Sequence, residues 1–464
     1  MDRSHFGSAL LALLVAAPAS AAEVTGYLES RTEYQRARLT GLVSPEAQPE
    51  VRQLLEFNVQ PRHAYREGGF VSADLSLFLQ SAGRYRGLET GGHEVAAPFV
   101  SLNELYVSHQ VLPQLQLLVG KKRVVWSSGL AFNPTDLLNP AKDPTNPDLQ
   151  RTGAYLVGVE VPLERFAFTL LASPAVLEQQ HGLPQSLLVY PGWDRQDTQA
   201  HYLVAARAYA LVADTDVNLM LLHSNRYGDG FESKTRLGAS FSRYFLEDYE
   251  LHVEALLGQG SARVYPEGEC LVDAAAAAGC ALGERALFSS RRLGERVLRP
   301  QVLVGSRYQF GDESLVSLEY LYQADGLGRD EFQSYVNALG LPRELREAAP
   351  SSPGASADPG APSRFHFEPM GRHYAFVSFQ KPRIHDDFTL HVGLLSHLSD
   401  LSGLFTPSLS WAGTEWMTLT LSGFVPWHGP HALAATRPGG APPVSELGLL
   451  PLEFRGLFQV HLFY

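Results

Sequence analysis

The chain has 464 residues, of which 45% are hydrophobic, and a formal net charge of −12. Its mean hydropathy of −0.09 argues against a bundle of transmembrane helices, because after residue 20 no run of about 18 apolar residues occurs. The acidic balance argues against nucleic acid as a partner. A membrane barrel stays compatible, since its strands alternate and keep the mean hydropathy near zero.

Residues 1–21 have the features of a secretory signal. Arg3 supplies the positive start, residues 9–17 form an apolar core, and Ala19-Ser20-Ala21 gives a small-residue cleavage site. We therefore expect export and a mature chain that begins near Ala22. The first predicted strand follows within a few residues, so we do not expect the N-terminal plug of a TonB-type active transporter.

Apolar and polar side chains alternate along most of the chain. In 70–80, for example, Val71, Leu75 and Leu79 share one face of a strand, whereas Ser72 and Ser76 share the other. Most of the alternating segments have 9–13 residues, and about 9–11 tilted residues cross a bilayer. The pattern predicts 18 strands, near 24–34, 51–61, 69–82, 98–111, 114–124, 153–161, 165–173, 200–211, 214–224, 234–246, 248–258, 300–310, 313–323, 372–381, 386–397, 402–412, 414–425 and 452–464.

The lengths of the connections indicate the architecture. Connections after even-numbered strands are short, and those after odd-numbered strands are long except for 398–401. This is typical of periplasmic turns and extracellular loops. We predict an all-β fold in which 22–464 form one antiparallel transmembrane β-barrel of about 18 strands, with 16 as the alternative. Its longest extracellular loops are 259–299, in front of strand 12, and 324–371, in front of strand 14.

The last predicted strand points to a location and to partners. It is amphipathic and ends in the aromatic Tyr464, which resembles the signal by which outer-membrane barrels are recognised for assembly. We expect the chain in the cell outer membrane of a Gram-negative-type envelope. Its expected partners are outer-membrane lipid, lipopolysaccharide and the barrel assembly machinery. The sequence does not set the oligomeric state.

The most distinctive stretch is 117–152. It resembles a stretch of several large porin-like outer-membrane families, in which a strand ending in Gly and basic residues and a Trp-Gly-type turn lead into an Asn-Pro-x-Asp loop. Here the turn reads Trp126-Ser127-Ser128-Gly129, so the Gly is displaced, while Asn133-Pro134-Thr135-Asp136 and Asn139-Pro140 match well. The resemblance covers about 35 residues and says little about substrate.

The loop in this stretch joins predicted strands 5 and 6. In general porins the loop at that place folds into the lumen, and here three Asn-Pro steps give it a kinked, rigid path. We therefore expect 125–152 to be a constriction loop, the alternative being an ordinary surface loop. The side chains expected to set pore width and charge are Asp136, Lys142, Asp143, Asp148 and Arg151.

The alternation also assigns charged side chains to the lumen. Opposed acids and bases produce a transverse field that favours polar solutes, and the acidic excess suggests a weak cation preference. The alternative is that these charges pair and plug the barrel, although about 18 strands leave an aqueous channel unless loops fill it. The acidic candidates are Glu29, Glu33, Glu56, Asp74, Glu104, Glu160, Glu254 and Glu319, and the basic ones are Arg31, Lys122, Arg207, Arg236, Arg307 and Arg455.

Few residues indicate other chemistry. Cys270 and Cys280, ten apart in an exported chain, predict a local disulfide, and no nearby His or Cys completes a zinc site. Catalytic signatures are absent. We expect a passive channel for small hydrophilic solutes, with no metal, cofactor or chemical step. The alternatives are a surface-binding or assembly barrel for extracellular polysaccharide and, less favoured, an outer-membrane lipid hydrolase.

Overall fold

The computed structural model describes most of the chain beyond the predicted export signal 1–21, which lies outside the described residues. These residues are 22–37, 51–86, 89–95, 98–136, 138, 153–173, 202–225, 234–261, 263, 265–283, 285–289, 292, 294–339, 341, 369–434, 443–450 and 452–464.

Eighteen strands form one closed antiparallel barrel. The first strand pairs with the last, from Tyr27↔Phe463 to Ala37↔Leu452, so the sheet has no free edge. The strands are β1 (Ala22–Ala37), β2 (Val51–Arg66), β3 (Gly69–Arg86), β4 (Phe99–Leu112), β5 (Leu115–Lys122), β6 (Ala154–Pro162), β7 (Phe166–Ser173), β8 (Leu203–Val212), β9 (Thr215–Ser224), β10 (Lys234–Phe245), β11 (Tyr249–Gln259), β12 (Leu298–Gln309), β13 (Leu315–Gln323), β14 (His373–Ile384), β15 (Phe388–His397), β16 (Ser402–Thr414), β17 (Met417–Trp427) and β18 (Leu452–Phe463).

The predicted all-β barrel of 18 strands is confirmed, and the alternative of 16 strands is wrong. The main departure lies in the first hairpins, where β1, β2 and β3 run beyond their predicted ends. The segment Glu89–Val95, which was expected to be loop, continues the pairing with β3 upstream of β4. The pairing there is between backbones, so it does not require the alternation from which the strands were predicted.

The alternation predicted for the strands separates the two faces of the wall. In β3 the outward Leu77 and Leu79 are about 40% exposed (39% and 42%), whereas Asp74 and Ser76 are buried among the interior side chains. In β9 the outward Leu219 is 60% exposed. An outer wall of exposed apolar side chains around a closed barrel matches a hydrocarbon environment.

One end of the barrel carries short turns and the other carries long loops. The turn between β8 and β9 consists only of Ala213 and Asp214, whose φ angles are 49° and 58°. Positive φ at both positions defines the type I′ turn, which matches the twist of a hairpin, and Asp tolerates that conformation. The chain enters β1 and leaves β18 at this end, as expected for the periplasmic side.

At the other end, parts of two long loops fold together into a cap. Helix α1 (Ala274–Leu282) lies in the loop before β12, and helix α2 (Arg329–Leu339) lies in the loop before β14. A disulfide joins Cys270 to Cys280, and these cysteines pack with Ala338 of α2. Among the described residues no helix is long and apolar enough to cross a membrane.

Candidate functional site

The chain leaves the wall after β5 and crosses the interior of the barrel. We call residues 123–136 the inner segment. At its start Trp126 packs on the inner faces of β6 to β9, and further on Leu130, Ala131 and Phe132 pack on the inner faces of β12 to β18. Strand β13 is eight strands from β5 in a ring of 18, so the inner segment reaches almost the opposite wall.

Glu254, in the middle of β11, holds the first half of the inner segment. Its Oε1 accepts hydrogen bonds from the Ser127 hydroxyl (2.6 Å) and from the backbone N–H groups of Ser128 (2.6 Å) and Gly129 (3.0 Å). Its Oε2 accepts one from the Thr135 hydroxyl (2.7 Å). The Glu254 side chain is completely buried, so its charge is compensated by oriented N–H and O–H dipoles rather than by water.

Glu319, on β13, holds the next three residues in the same way. It accepts hydrogen bonds from the backbone N–H groups of Leu130, Ala131 (2.8 Å) and Phe132 (3.2 Å). The ring of His252 lies 3.4 Å from Glu319 on the other side. Buried N–H groups of an irregular segment need acceptors, and these two carboxylates supply them for five consecutive residues from 128 to 132.

The displaced glycine of the turn has a steric role. A Cβ on Gly129 would lie 1.9 Å from the carbonyl oxygen of Phe132 and 2.6 Å from Leu303 of the wall. Any larger residue would therefore push the inner segment away from the wall. Arg307 adds a further tie, because it donates a hydrogen bond to the carbonyl of Ser128 (3.0 Å).

The interior face of β1 to β4 carries a polar network. Tyr27 and Ser76 donate hydrogen bonds to Glu56 (2.9 and 2.7 Å). Asn58 donates to Asp74 (2.7 Å). Because the acids on this wall are hydrogen-bonded to their neighbours, the network fixes the wall in one arrangement.

A cavity of about 200 Å³ lies between the inner faces of β5 to β8 and the start of the inner segment. Its charged lining residues are Lys122, Arg123, Glu160 and Arg207, and Trp126 forms part of its apolar wall. The Arg207 guanidinium lies 6.0 Å from the Trp126 ring centroid. The cavity is therefore a polar recess beside the inner segment, with an aromatic surface on one side.

A second buried polar cluster lies at the loop end. Glu446 accepts hydrogen bonds from the backbone N–H groups of Met370 (2.9 Å) and Gly371 (3.0 Å) and from the Tyr374 hydroxyl. Burial raises the pKa of Glu446. Burial alone would also raise the pKa of Asp400, but hydrogen bonds from His397 and Ser402 outweigh it and hold that pKa below its ordinary value. The backbone N–H of Glu446 also donates a hydrogen bond to Asp400 (2.7 Å), so the cluster ties three loops together at the mouth.

The residues predicted to form the constriction are only partly described. Asp136 is buried within the inner segment. The other four, Lys142, Asp143, Asp148 and Arg151, lie outside the described residues.

Most of the predicted lumen residues either have hydrogen-bond partners in the interior or contact the cavity or the inner segment. Glu254 and Glu319 point inward but are covered by the inner segment, while Glu56 and Asp74 are engaged in the β1–β4 network. Those that contact the cavity or the inner segment are Lys122, Glu160, Arg207, Glu104 and Arg307, and Arg236 follows the same inward alternation on β10.

Sequence reasoning missed several residues of this arrangement. Arg123 lies 3.6 Å from Asp74 and donates its backbone N–H to Glu104 (2.7 Å). Asn103 also has a specific contact, because it donates a hydrogen bond to Asp74 (3.0 Å). The inward alternation was a signal for Asn58, but its partners depend on strand register. No group of three or more potential metal ligands occurs in the described part of the chain.

A closed barrel of 18 strands with an apolar outer surface is a transmembrane β-barrel of the outer membrane. No protein-family model matches the chain, and neither does any curated protein. Among solved structures, the chain is similar to OccK7 (OpdD) of Pseudomonas aeruginosa, with 12% identity, coverage of 95% of this chain and 99% of that one, and a TM-score of 0.48. It is similar to OccAB3 of Acinetobacter baumannii, with 8% identity, 95% and 99% coverage and a TM-score of 0.48. A mutant Rh. blastica porin gives 9% identity, 96% and 100% coverage and a TM-score of 0.41.

Proposed function

We propose that the chain is a channel through which small hydrophilic solutes diffuse across the outer membrane, with no chemical step and no cofactor. The observation that carries this proposal is the inner segment, which crosses a wide barrel and is fixed to the far wall by Glu254 and Glu319. About 18 strands enclose more space than side chains alone can fill. A fixed segment across such a lumen narrows it without needing to close it.

The charges of loop 125–152 are proposed to tune the passage. Asp136, Lys142, Asp143, Asp148 and Arg151 contribute three acids and two bases to it. Charged groups at a narrowing act on solutes at short range and in a restricted volume, where their effect is largest.

Planar-bilayer recording of the refolded barrel tests the proposal. We expect stable, ohmic single-channel steps, and smaller steps with neutral polymers that are small enough to enter the pore. The constriction loop is tested by replacing its three acids with Asn, with Glu164→Asn in an exposed short turn as the control. Unchanged conductance and selectivity in the triple variant would remove the loop from the proposal. A folded, heat-modifiable barrel that gives no steps would overturn the channel itself.

A second candidate is a barrel that binds extracellular polysaccharide. It is supported by the cap, in which α1, α2 and the Cys270–Cys280 disulfide form a folded surface above the barrel. Binding of polysaccharide by a barrel that does not conduct would favour this function. We also propose that the β18 strand and Tyr464 are read by the barrel assembly machinery, which predicts poor assembly after deletion of the last residue.

A further inference from the structure

A buried histidine joins the strand that carries Glu254 to the strand that carries Glu319. His252 on β11 is directly opposite Gly305 on β12, and Gly305 is directly opposite Glu319 on β13. These three positions form one row across the inner face of the wall. The His252 side chain is fully buried, and its Nε2 lies 3.4 Å from the Glu319 carboxylate, so the ring reaches across β12 to the next strand.

The glycine in the middle of this row makes the reach possible. A Cβ on Gly305 would lie 2.0 Å from Nε2 and 2.6 Å from Cε1 of His252. Both distances are far below the optimum of about 3.5–4.0 Å for contacts between heavy atoms. Any larger residue at this position would therefore push the ring away from Glu319.

The other nitrogen of the ring faces a second carboxylate. Nδ1 of His252 lies 3.5 Å from Oε1 of Glu250, and the other oxygen of Glu250 lies 3.5 Å from Arg307. Ser242 donates a hydrogen bond to the same carboxylate (3.1 Å). Arg307 donates in turn to the carbonyl of Ser128 (3.0 Å), so this chain of contacts leads back to the inner segment.

Both ends of the chain of contacts hold the inner segment. At one end Arg307 binds the carbonyl of Ser128, and at the other Glu319 accepts the backbone N–H groups of residues 130–132. His252 links the two ends, because its two nitrogens lie within 3.5 Å of the two carboxylates. A change in the charge of the ring therefore acts on both attachments of the inner segment.

The charges in this cluster balance when the ring is protonated. Glu250 and Glu319 contribute two negative charges, and Arg307 and the protonated His252 contribute two positive charges. With a neutral ring, one negative charge is left uncompensated. The inner segment covers the cluster from water, and covering an uncompensated charge costs more free energy than covering a balanced set.

The other groups around the ring do not replace that positive charge. Strand β10 places Ser242 opposite the ring and Tyr244 opposite the Glu250 carboxylate. On β11 itself, Glu254 is an acid that is already occupied by the inner segment. Residues 127–132 of the inner segment have no charged side chain. The charge balance under the inner segment thus depends on the proton of the imidazole.

We propose that His252 is a positioning residue whose protonated ring holds the Glu319 carboxylate against the inner segment, so that the width of the channel depends on pH. The inference rests on the proposed channel function. When the ring loses its proton, the docked arrangement has to bury an uncompensated charge, and the inner segment leaves the wall more often. We expect the natural protein to show a larger mean conductance and more open-channel noise at about pH 10 than at about pH 6, where an ordinary histidine carries a proton for much of the time.

The first test measures how often the inner segment undocks. Leu130→Cys places a thiol on it, and the two natural cysteines are joined in a disulfide. A methanethiosulfonate reagent labels this thiol at a rate that follows the undocked fraction when docking is fast compared with labelling. Adding His252→Gln should raise the rate roughly tenfold at about pH 6, the effect of losing one charge-assisted contact. At about pH 10, where the natural ring is neutral as well, the ratio of the two rates should be close to 1.

Two further variants separate charge from packing. Gly305→Ala keeps every charge but displaces the ring, so it should raise labelling at about pH 6 in the same way, and it serves as the test variant if His252→Gln does not assemble. His385→Gln removes a histidine from an exposed short turn and should leave the labelling rate unchanged at both pH values. Because each ratio compares two proteins at one pH, the titration of the thiol itself cancels.

The second test follows the ring directly. In a barrel with nitrogen-15 histidine, the signal that His252→Gln removes should have the chemical shift of an imidazolium at about pH 6 and of a neutral ring at about pH 10. A neutral ring at about pH 6, or a labelling ratio that is the same at both pH values, overturns the positioning role and leaves the channel standing. A barrel with the expected labelling and ring signals that gives no ohmic steps overturns the channel and keeps the positioning role.

Discussion

Replacing Glu254 with Gln should loosen the inner segment from the wall. The substitution keeps the size of the side chain but removes the charge that orients the hydrogen bonds from Ser127, Ser128 and Gly129. A hydrogen bond to a charged group contributes roughly 1.5–3 kcal/mol, and one between neutral groups contributes about half as much. Weakening three such bonds by about 1 kcal/mol each lowers the docking free energy by about 3 kcal/mol.

That loss is large for a segment with only two main anchors. Since each 1.4 kcal/mol changes an equilibrium tenfold, the undocked population rises by roughly two orders of magnitude. We therefore expect Glu254→Gln to show a larger mean conductance and more open-channel noise than the natural protein. Glu319→Gln should act in the same direction, and the double variant should exceed either single change.

The control and the refuting result use the same recordings. Glu164→Gln, in an exposed short turn, should leave the mean conductance and the open-channel noise unchanged. The contradicting result is a Glu254→Gln barrel that folds and matches the natural protein in conductance, in noise and in protease resistance of the inner segment. That result would refute the role of Glu254 in holding the inner segment to the wall. In that case the packing of Phe132 and Trp126 would be sufficient to hold the segment.

Three further predictions concern other parts of the molecule. Gly129→Ala should shift the pore conductance because its Cβ meets the Phe132 carbonyl oxygen, whereas Gly311→Ala, with no atom within 4 Å of the added Cβ, should not. Replacing both cysteines by Ser should remove about 2.7 kcal/mol of stabilisation from the loop that they close, whose sequence separation is 10, and make the cap more sensitive to protease, without changing the heat-modifiable barrel. The hydrogen bond from Lys381 is the main cause that lowers the pKa of Asp312 to about 2. A lowered pKa contributes stability that is fully present above the ordinary value of 3.8 and is lost as the pH falls through about 2. Lys381→Gln should therefore lower the thermal unfolding temperature at pH 6, and this difference should vanish as the pH falls through about 2.

The barrel could be predicted from the sequence because every wall strand carries its own signal. Leu77 and Ser76, for example, face opposite environments although they are neighbours, and lipid and lumen impose that difference on each strand separately. The positions of the turns followed from the ends of the alternation. The pairing of Glu89–Val95 with β3 did not, because backbone pairing beyond the membrane does not need alternating side chains.

The interior could be predicted only as a set of faces. Glu319 was predicted to face the lumen, and its hydrogen-bond partners Ala131 and Phe132 lie 188 and 187 residues away in the sequence. Nothing local in the sequence marks a carboxylate that will be covered by distant backbone amides. An ionised side chain counted as lumen charge can equally be an anchor, and only the fold distinguishes the two.

This distinction decides what the lumen charge means. A channel selects ions through the charges that remain uncompensated beside the path, and not through the net charge of −12. In the described interior Glu29, Asp74 and Glu104 are paired with arginines, and Glu254 and Glu319 are covered by the backbone N–H groups of the inner segment. The charge that a solute meets in the lumen therefore differs from the net charge of the sequence.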